Sequence, residues 1–261
     1  MEQDREETKE EDRLRRWKKV IRILDRCEDG ILFLLCMLLF LIGLYALADS
    51  YLVYQHANDD SLLKFKPGYE GEEPDREIQG NMVAWLTIED TKIDYPVMQG
   101  ETNEEYLNKD PYGDYSLSGS IFLDSRNAAD FSDSFSLIYG HHMEGKHMFG
   151  ELHSYLKENY FEKHRKGELT AGEQKFKIEL FAAVTVEATQ SIIFNPTEHT
   201  EAELLAYIEK NADIYDPAVI EAKKEGDRLL ALSTCKYPDS VERVVVFGRL
   251  RPAEKENEKQ R

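Results

Sequence analysis

The chain has 261 residues, a formal net charge of -18 and only three cysteines. That length allows one domain with a sizeable core beyond any anchor. The acidic balance argues against nucleic acid as a partner, and the cysteine count rules out a disulfide framework.

Residues 1–29 mix acids with Arg13, Arg15, Arg16, Lys18, Lys19, Arg22 and Arg26, and read as a charged tail that is helical into the next segment. Residues 30–48 then carry no charged side chain over 19 positions. As a helix that stretch spans roughly 28 Å, close to a bilayer's hydrocarbon thickness. The basic flank on its N-terminal side predicts a cytoplasmic tail, a single-pass anchor and an extracellular C-terminal domain. A cleaved signal peptide is the competing reading. Against it stand the length of the apolar run and the absence of a small-x-small site at its end. Residues 49–75 read as a stalk, with one helical stretch near 50–65.

From residue 81 the pattern turns to short strands, expected at 83–88, 92–98, 120–123, 134–139, 176–186, 228–232 and 243–247. Strands of this kind with turn signals between them imply a barrel or sandwich. Helices are expected at 148–156, at 200–211, where Thr200 and Glu203 make a capping box, and at 217–224. The last two form an excursion of the sort that builds the wall of a binding site. Residues 76–252 are expected to form the main domain, followed by a charged tail at 253–261.

Cys27 and Cys36 lie at or inside the apolar segment, so Cys235 stands alone at the end of a strand. A lone thiol there is either inert and buried or reactive. A reactive one needs a proton partner and a donor for an oxyanion. Of His56, His141, His142, His147, His153, His164 and His199, the pair His141-His142 stands apart. It follows Gly140 at the end of an apolar strand, where glycine permits a sharp turn. His153, His164 and His199 read as surface side chains. Arg243, eight residues past Cys235, opens the next strand, which places its guanidinium within reach of the thiol. The competing view has Arg243 pairing with Glu242 or Asp239 at the surface. Arg249 is on the same side of that strand but about 20 Å further along.

Tyr139-Gly140-His141-His142-Met143, Leu232-Ser233-Thr234-Cys235 and Arg243-Val244-Val245-Val246 together resemble the sortases, in the class B form. Asp94-Tyr95-Pro96-Val97, Thr102-Asn103 with Tyr106-Leu107, and Gly119-Ser120-Ile121-Phe122 extend the resemblance over about residues 81–250. One departure is Ala231, where relatives usually carry threonine; it precedes the cysteine motif and leaves the chemistry untouched. The resemblance implies a mainly β fold: an eight-stranded barrel with N-terminal helices, a transmembrane helix and a helical insertion before the cysteine strand. It implies Cys235 as nucleophile, His141 as acid and base, and Arg243 as oxyanion donor. Ser233, Thr234, Tyr139, Asn103, Leu107 and His142 match positions around the substrate. It further implies a transpeptidase without metal or cofactor. Its substrates would be secreted proteins ending in an Asn-Pro-x-Thr-x-like sorting signal, and its acceptor an amine of peptidoglycan or its lipid-linked precursor.

Two other classes remain open at this level. A papain-like cysteine hydrolase needs its cysteine on a helix N-terminus and usually ahead of the histidine. A metal-binding surface module could use His141, His142, Glu144 and His147, although that spacing lacks an i, i+4 helical pair and Gly145 suggests a loop.

Overall fold

The computed structural model describes residues 2–57, 60–236 and 240–253, with side chains from residue 13 to 51 and from 61 onward within those spans. The charged tail expected at 253–261 lies, apart from Ala253, outside the described residues. The chain divides into two compact units, Met1–Leu52 and Val53–Arg261.

The first unit is helix α1, Glu2–Ala57, which runs on a few residues into the second. Its stretch Arg13–Tyr51 is long and apolar enough to cross a membrane, and no residue in it is buried by the protein.

In the second unit the described residues form nine strands: β1 Met82–Ile88, β2 Asp94–Met98, β3 Ile121–Leu123, β4 Phe135–Tyr139, β5 Lys166–Ala171, β6 Gln174–Glu187, β7 Ile214–Tyr215, β8 Arg228–Cys235 and β9 Glu242–Pro252. Eight pair in the order β5-β1-β2-β3-β4-β8-β9-β6, and the β5–β6 pairing closes the ring. The two-residue β7 only adds to β6 at Ala182 and Ala183. Pairs β2–β3 and β4–β8 are parallel and the rest antiparallel, so this is a mixed eight-stranded barrel. Closure leaves few free edges.

The sequence 229–232 is apolar at four consecutive positions because β8 is buried on both faces. Leu230 and Leu232 point into the barrel with Val244 and Val246, among the side chains of β1 and β5. Leu229 and Ala231 point outward with Leu137, Val245 and Phe247. That outer face would be wet, but the chain between β6 and β8 folds over it. Helices α3 (Ser191–Phe194), α4 (Glu201–Asn211) and α5 (Pro217–Glu221) cover it with Ile193, Leu204, Ile208 and Val219. The capping box forms as expected: Thr200 Oγ1 accepts from Glu203 N–H, and Glu203 accepts from Thr200 N–H at 2.9 Å.

Arg249 continues the outward row past Phe247. Its side chain is 1% exposed and pairs with Glu201 at 2.5 Å, which pins the first residue of α4 to the barrel. Burial alone would raise the Glu201 carboxyl; Lys223 and Arg249 instead hold it below the usual carboxylate value. Before the insertion, the helix expected at 148–156 is a 3-10 stretch, Gly150–Leu156, continued by helix α2, Glu158–Lys163.

Candidate active site

The covered outer face stops short of the strand ends. Along it, Tyr139 of β4 is level with Ser233 of β8, Ser233 is paired with Val245 of β9, and Cys235 is paired with Arg243. Residues directly opposite in an antiparallel ladder project to the same side with Cβ atoms about 4.5–5.5 Å apart. The thiol and the guanidinium therefore emerge side by side.

β4 meets β8 at its end through Gly140 N–H, which donates to Ser233 O at 3.1 Å, and His141 follows at once. Gly140 is required for space rather than for a turn: a Cβ there would sit 2.4 Å from Ile121 Cδ1 and 2.8 Å from the Phe149 ring. His141 is held at two points. Its carbonyl accepts from Phe149 N–H at 3.0 Å, and its Nε2 lies 2.7 Å from the Leu107 carbonyl oxygen. A carbonyl can only accept, so Nε2 carries a hydrogen and Nδ1 is the nitrogen left for proton transfer.

Cys235, His141 and Arg243 line one cleft of about 290 Å3, with Ser233, Thr234, Tyr139, Asn103 and Leu107 also in its walls. Ser233 shares the face of Cys235. Thr234, one residue out of phase on the strand, belongs to the opposite face, and neither hydroxyl has a partner among the described residues. Asn103 and Tyr139 have their polar atoms engaged away from the cleft. Asn103 donates to Asp124 at 2.9 Å and accepts from Ser125 N–H at 2.7 Å, and the Tyr139 hydroxyl donates to Asp124 at 3.0 Å. Burial and the Asp124 charge push the Tyr139 phenol well above its ordinary value. Its ring lies 5.3 Å from that of Phe122, so the cleft there presents aromatic carbon. Phe122, Ala188 and Phe194 complete the walls and are not among the site residues expected from the sequence; an apolar residue gives no signal of facing a cleft rather than a core.

His142 is not among the residues that line the cleft. Its ring packs 4.5 Å from that of His153, a residue expected at the surface but half-buried here. His164, also expected at the surface, stacks on Tyr160 at 3.9 Å. His141, His142, Glu144 and His147 do not assemble as a metal cluster: among the described residues no three potential ligands group together. Arg243 does not pair with Glu242, whose carboxylate takes Lys236 at 3.0 Å. Arg243 Nη1 donates to Ser240 O at 2.7 Å and Glu242 O at 3.3 Å, leaving Nε and Nη2 without a partner among the described residues. Asp239 lies outside those residues.

Two predictions arise here. Gly119 has φ +57°, and a Cβ on it would lie 2.5 Å from the Leu107 oxygen that holds His141. Gly119→Ala is expected to displace that carbonyl and lower kcat about 10–100-fold with a smaller change in KM, since misplacement of a proton donor acts on the chemical step. Steady-state kinetics on a folded variant checks it, and an unchanged kcat contradicts it.

The second concerns pH. Burial lowers the His142 and His153 imidazoles below 6.5, and the neighbouring His142 adds to the reluctance of His153 to charge. A base depressed in the fold binds its proton first in the unfolded chain. Its stabilising contribution is complete above the unfolded value of about 6.5 and is lost as the pH falls from there toward the folded value. The melting temperature is expected to fall between about pH 7 and pH 5, and His142→Asn should flatten that slope. A melting temperature independent of pH in that window, measured by calorimetry, contradicts it.

Comparison with known proteins gives the family. Residues 86–251 match the family model described as the sortase domain. Sortase B of Listeria monocytogenes is 34% identical over 180 residues, covering 67% of this chain and 72% of its own. Sortase B of Staphylococcus aureus is 30% identical over 177 residues, covering 66% and 71%. Among solved structures, a Streptococcus pyogenes class B sortase involved in pilus biogenesis is similar with TM-score 0.61 and 38% identity, covering 76% of this chain and all of that one. A Staphylococcus aureus sortase B–substrate complex is similar with TM-score 0.60 and 29% identity, covering 68% and 82%.

Proposed function

Because this chain belongs to the sortase family and is a class B cysteine transpeptidase, we propose that it cuts secreted proteins at a C-terminal Asn-Pro-x-Thr-x-like sorting signal and joins them to an amine of the cell wall. The observation that carries the reading is the single cleft shared by Cys235, His141 and Arg243.

In this mechanism Cys235 passes its proton to His141 Nδ1 and its Sγ attacks the carbonyl carbon of the signal's threonine. The oxygen gains the negative charge, and Arg243 donates to it through the nitrogens not tied to Ser240 and Glu242. One such donor typically contributes about 3–4 kcal/mol at the transition state. The tetrahedral adduct collapses, the C–N bond breaks, and His141 delivers a proton from Nδ1 to the departing amine. The acyl group stays on sulfur as a thioester. The acceptor amine then attacks, loses its proton to His141, and expels the thiolate. The Leu107 carbonyl keeps the ring oriented through both proton transfers.

The anchor reading follows the same logic. Helix α1 would hold the enzyme in the membrane with its basic N-terminal flank in the cytoplasm and the barrel outside, where secreted chains emerge. Confinement to that surface raises the effective concentration of both substrates.

The acceptor has a second reading. Among the solved structures, the 38% identity to the pilus-associated Streptococcus pyogenes relative exceeds the 29% to the Staphylococcus aureus sortase B complex, which favours a lysine amine of another protein as a competing acceptor. The test is product analysis by liquid chromatography and mass spectrometry. A sorting-signal peptide is offered with a wall-type amine, with a lysine-bearing peptide, and with neither. Amide product with the wall-type amine supports the first reading and amide only with lysine the second. Free acid alone in every arm rejects transpeptidation to either.

A further inference from the structure

We propose that Asp124 and Arg126 are positioning residues that lock opposite walls of the substrate cleft to each other. The proposal rests on the reading of that cleft as the sorting-signal site, and it concerns residues outside the Cys235, His141 and Arg243 set.

Asp124 directly follows β3 and its side chain is 0% exposed. A fully buried carboxylate is destabilising unless its lone pairs are filled. Here they are filled from two directions. Asn103 Nδ2 donates at 2.9 Å and the Tyr139 hydroxyl at 3.0 Å. Arg126 donates through its backbone N–H at 3.0 Å, Nε at 2.8 Å and Nη2 at 2.7 Å. Burial would raise the carboxyl, but these donors, Arg126 first, hold it below its ordinary value. It is therefore an anion at working pH.

Arg126 does not stop at Asp124. Its Nη2 also donates to Phe194 O at 2.6 Å and its Nη1 to Asn195 Oδ1 at 2.8 Å. Phe194 ends α3 and Asn195 caps it, more than sixty residues further along the chain. Of the four residues this network reaches, Asn103, Tyr139 and Phe194 line the cleft, and Asn195 directly follows Phe194 in the chain. No arm ends in the barrel interior. A planar guanidinium suits the task, because its fork can hold a carboxylate and a carbonyl at once in fixed geometry, which an ammonium cannot. With the Asn103 amide and Tyr139 hydroxyl turned to Asp124, the cleft offers side-chain faces whose spacing this network sets.

A purely structural ion pair would predict something different. Arg126 keeps 39% exposure, so its truncation opens no core cavity, and Asp124 retains Asn103 and Tyr139. Loss of the arginine should free the Phe194 wall while leaving Cys235, His141 and Arg243 in place.

The test uses the 261-residue chain in detergent, comparing Arg126→Ala, Arg126→Lys and Asp124→Asn with the parent. Three readouts are taken: kinetics with a sorting-signal peptide, the rate of Cys235 alkylation by iodoacetamide, and hydrogen exchange of the amides at 188–198. Arg126→Ala is expected to raise KM about tenfold or more with kcat within about threefold, because ground-state positioning of the peptide is what it loses. Alkylation should stay within about twofold and exchange at 188–198 should rise. Arg126→Lys should recover part of the KM but not the protection of residue 194, since it reaches one partner only. Asp124→Asn, which keeps the shape and weakens the charge-assisted bonds, should fall between. An unchanged KM overturns the proposal. So does a lower melting temperature with reduced kcat and unaltered KM, the signature of a structural pair, and so does unaltered exchange at 188–198. If the parent turns over no such peptide, the functional reading fails by itself, while the exchange measurement still decides whether Arg126 locks that wall.

Discussion

Cys235→Ala is expected to abolish turnover of a sorting-signal peptide, with a loss of at least about 10^4-fold, as removal of a nucleophile does where the remaining machinery has nothing to attack with. The fold should survive intact. Cys235 is the last residue of β8 and only partly buried, and the buried rows that hold the strand in the barrel end at Thr234 inside and Ser233 outside. A substitution of that kind typically changes stability by within about 0.5–1 kcal/mol. The chain supplies its own control. Cys27 and Cys36 lie in α1 and remain in the variant, so any acyl adduct that persists after Cys235→Ala must sit on them. A variant with wild-type turnover would remove the thiol from the mechanism altogether.

Arg243→Ala carries the second large effect, a loss of about 10^2–10^3-fold in kcat/KM that falls mainly on the acylation step. The reason is geometric. The register pairs Arg243 with Cys235, so the guanidinium projects on the side where the attacked carbonyl must lie. Its Nη1 is fastened to the carbonyls of Ser240 and Glu242, which orients the remaining nitrogens without occupying them. Arg243→Lys keeps the charge but not the second donor or the fastening, and should restore less than about tenfold of the loss. Single-turnover acylation measured by quenched flow separates this step from thioester aminolysis. Equal acylation rates in Arg243→Ala and the parent would show that the oxyanion is held by other groups.

The parts of this molecule that sequence makes legible are those in which one residue type has one physical meaning. Four successive apolar residues at 229–232 can only be a strand buried on both faces or a buried helix, and the β-branched run at 244–246 beside them settles the pair as strands. The short connection between them brings Cys235 and Arg243 into register, so that juxtaposition follows from spacing. The capping box at Thr200 and Glu203 is local and needs no tertiary information. Strand β5 was not anticipated because two of its inward positions are Gly167 and Ala171, which carry almost no hydrophobic signal; its hairpin with β6 is what closes the barrel. His153 reads as a surface side chain because a histidine between Leu152 and Ser154 carries no burial signal of its own, yet the 3-10 stretch turns it onto His142.

The site itself was legible only in part. Cys235, His141 and Arg243 stand beside glycine or strand ends, where irregular positions mark themselves. His142, equally conspicuous in the sequence, turns away from the cleft because successive residues in extended chain alternate in direction. Asp124 and Arg126 carried no signal: an acid and a base two residues apart in a polar loop look like solvated surface. The burial of Asp124 and the hydrogen bonds of Arg126 depend on Asn103, Tyr139 and Phe194 arriving from three other segments, and no periodicity encodes that meeting. The same holds for the Leu107 carbonyl that orients His141, since a backbone oxygen has no residue-type signature.

The account depends on one covalent event at one sulfur. Intact-mass spectrometry of the chain mixed with a sorting-signal peptide, without an acceptor amine, tests it directly. The predicted result is a mass gain equal to the peptide's portion through threonine, mapped by digestion to Cys235, and discharged when an amine is added. No mass gain, or a gain that maps to any residue other than Cys235, would contradict it.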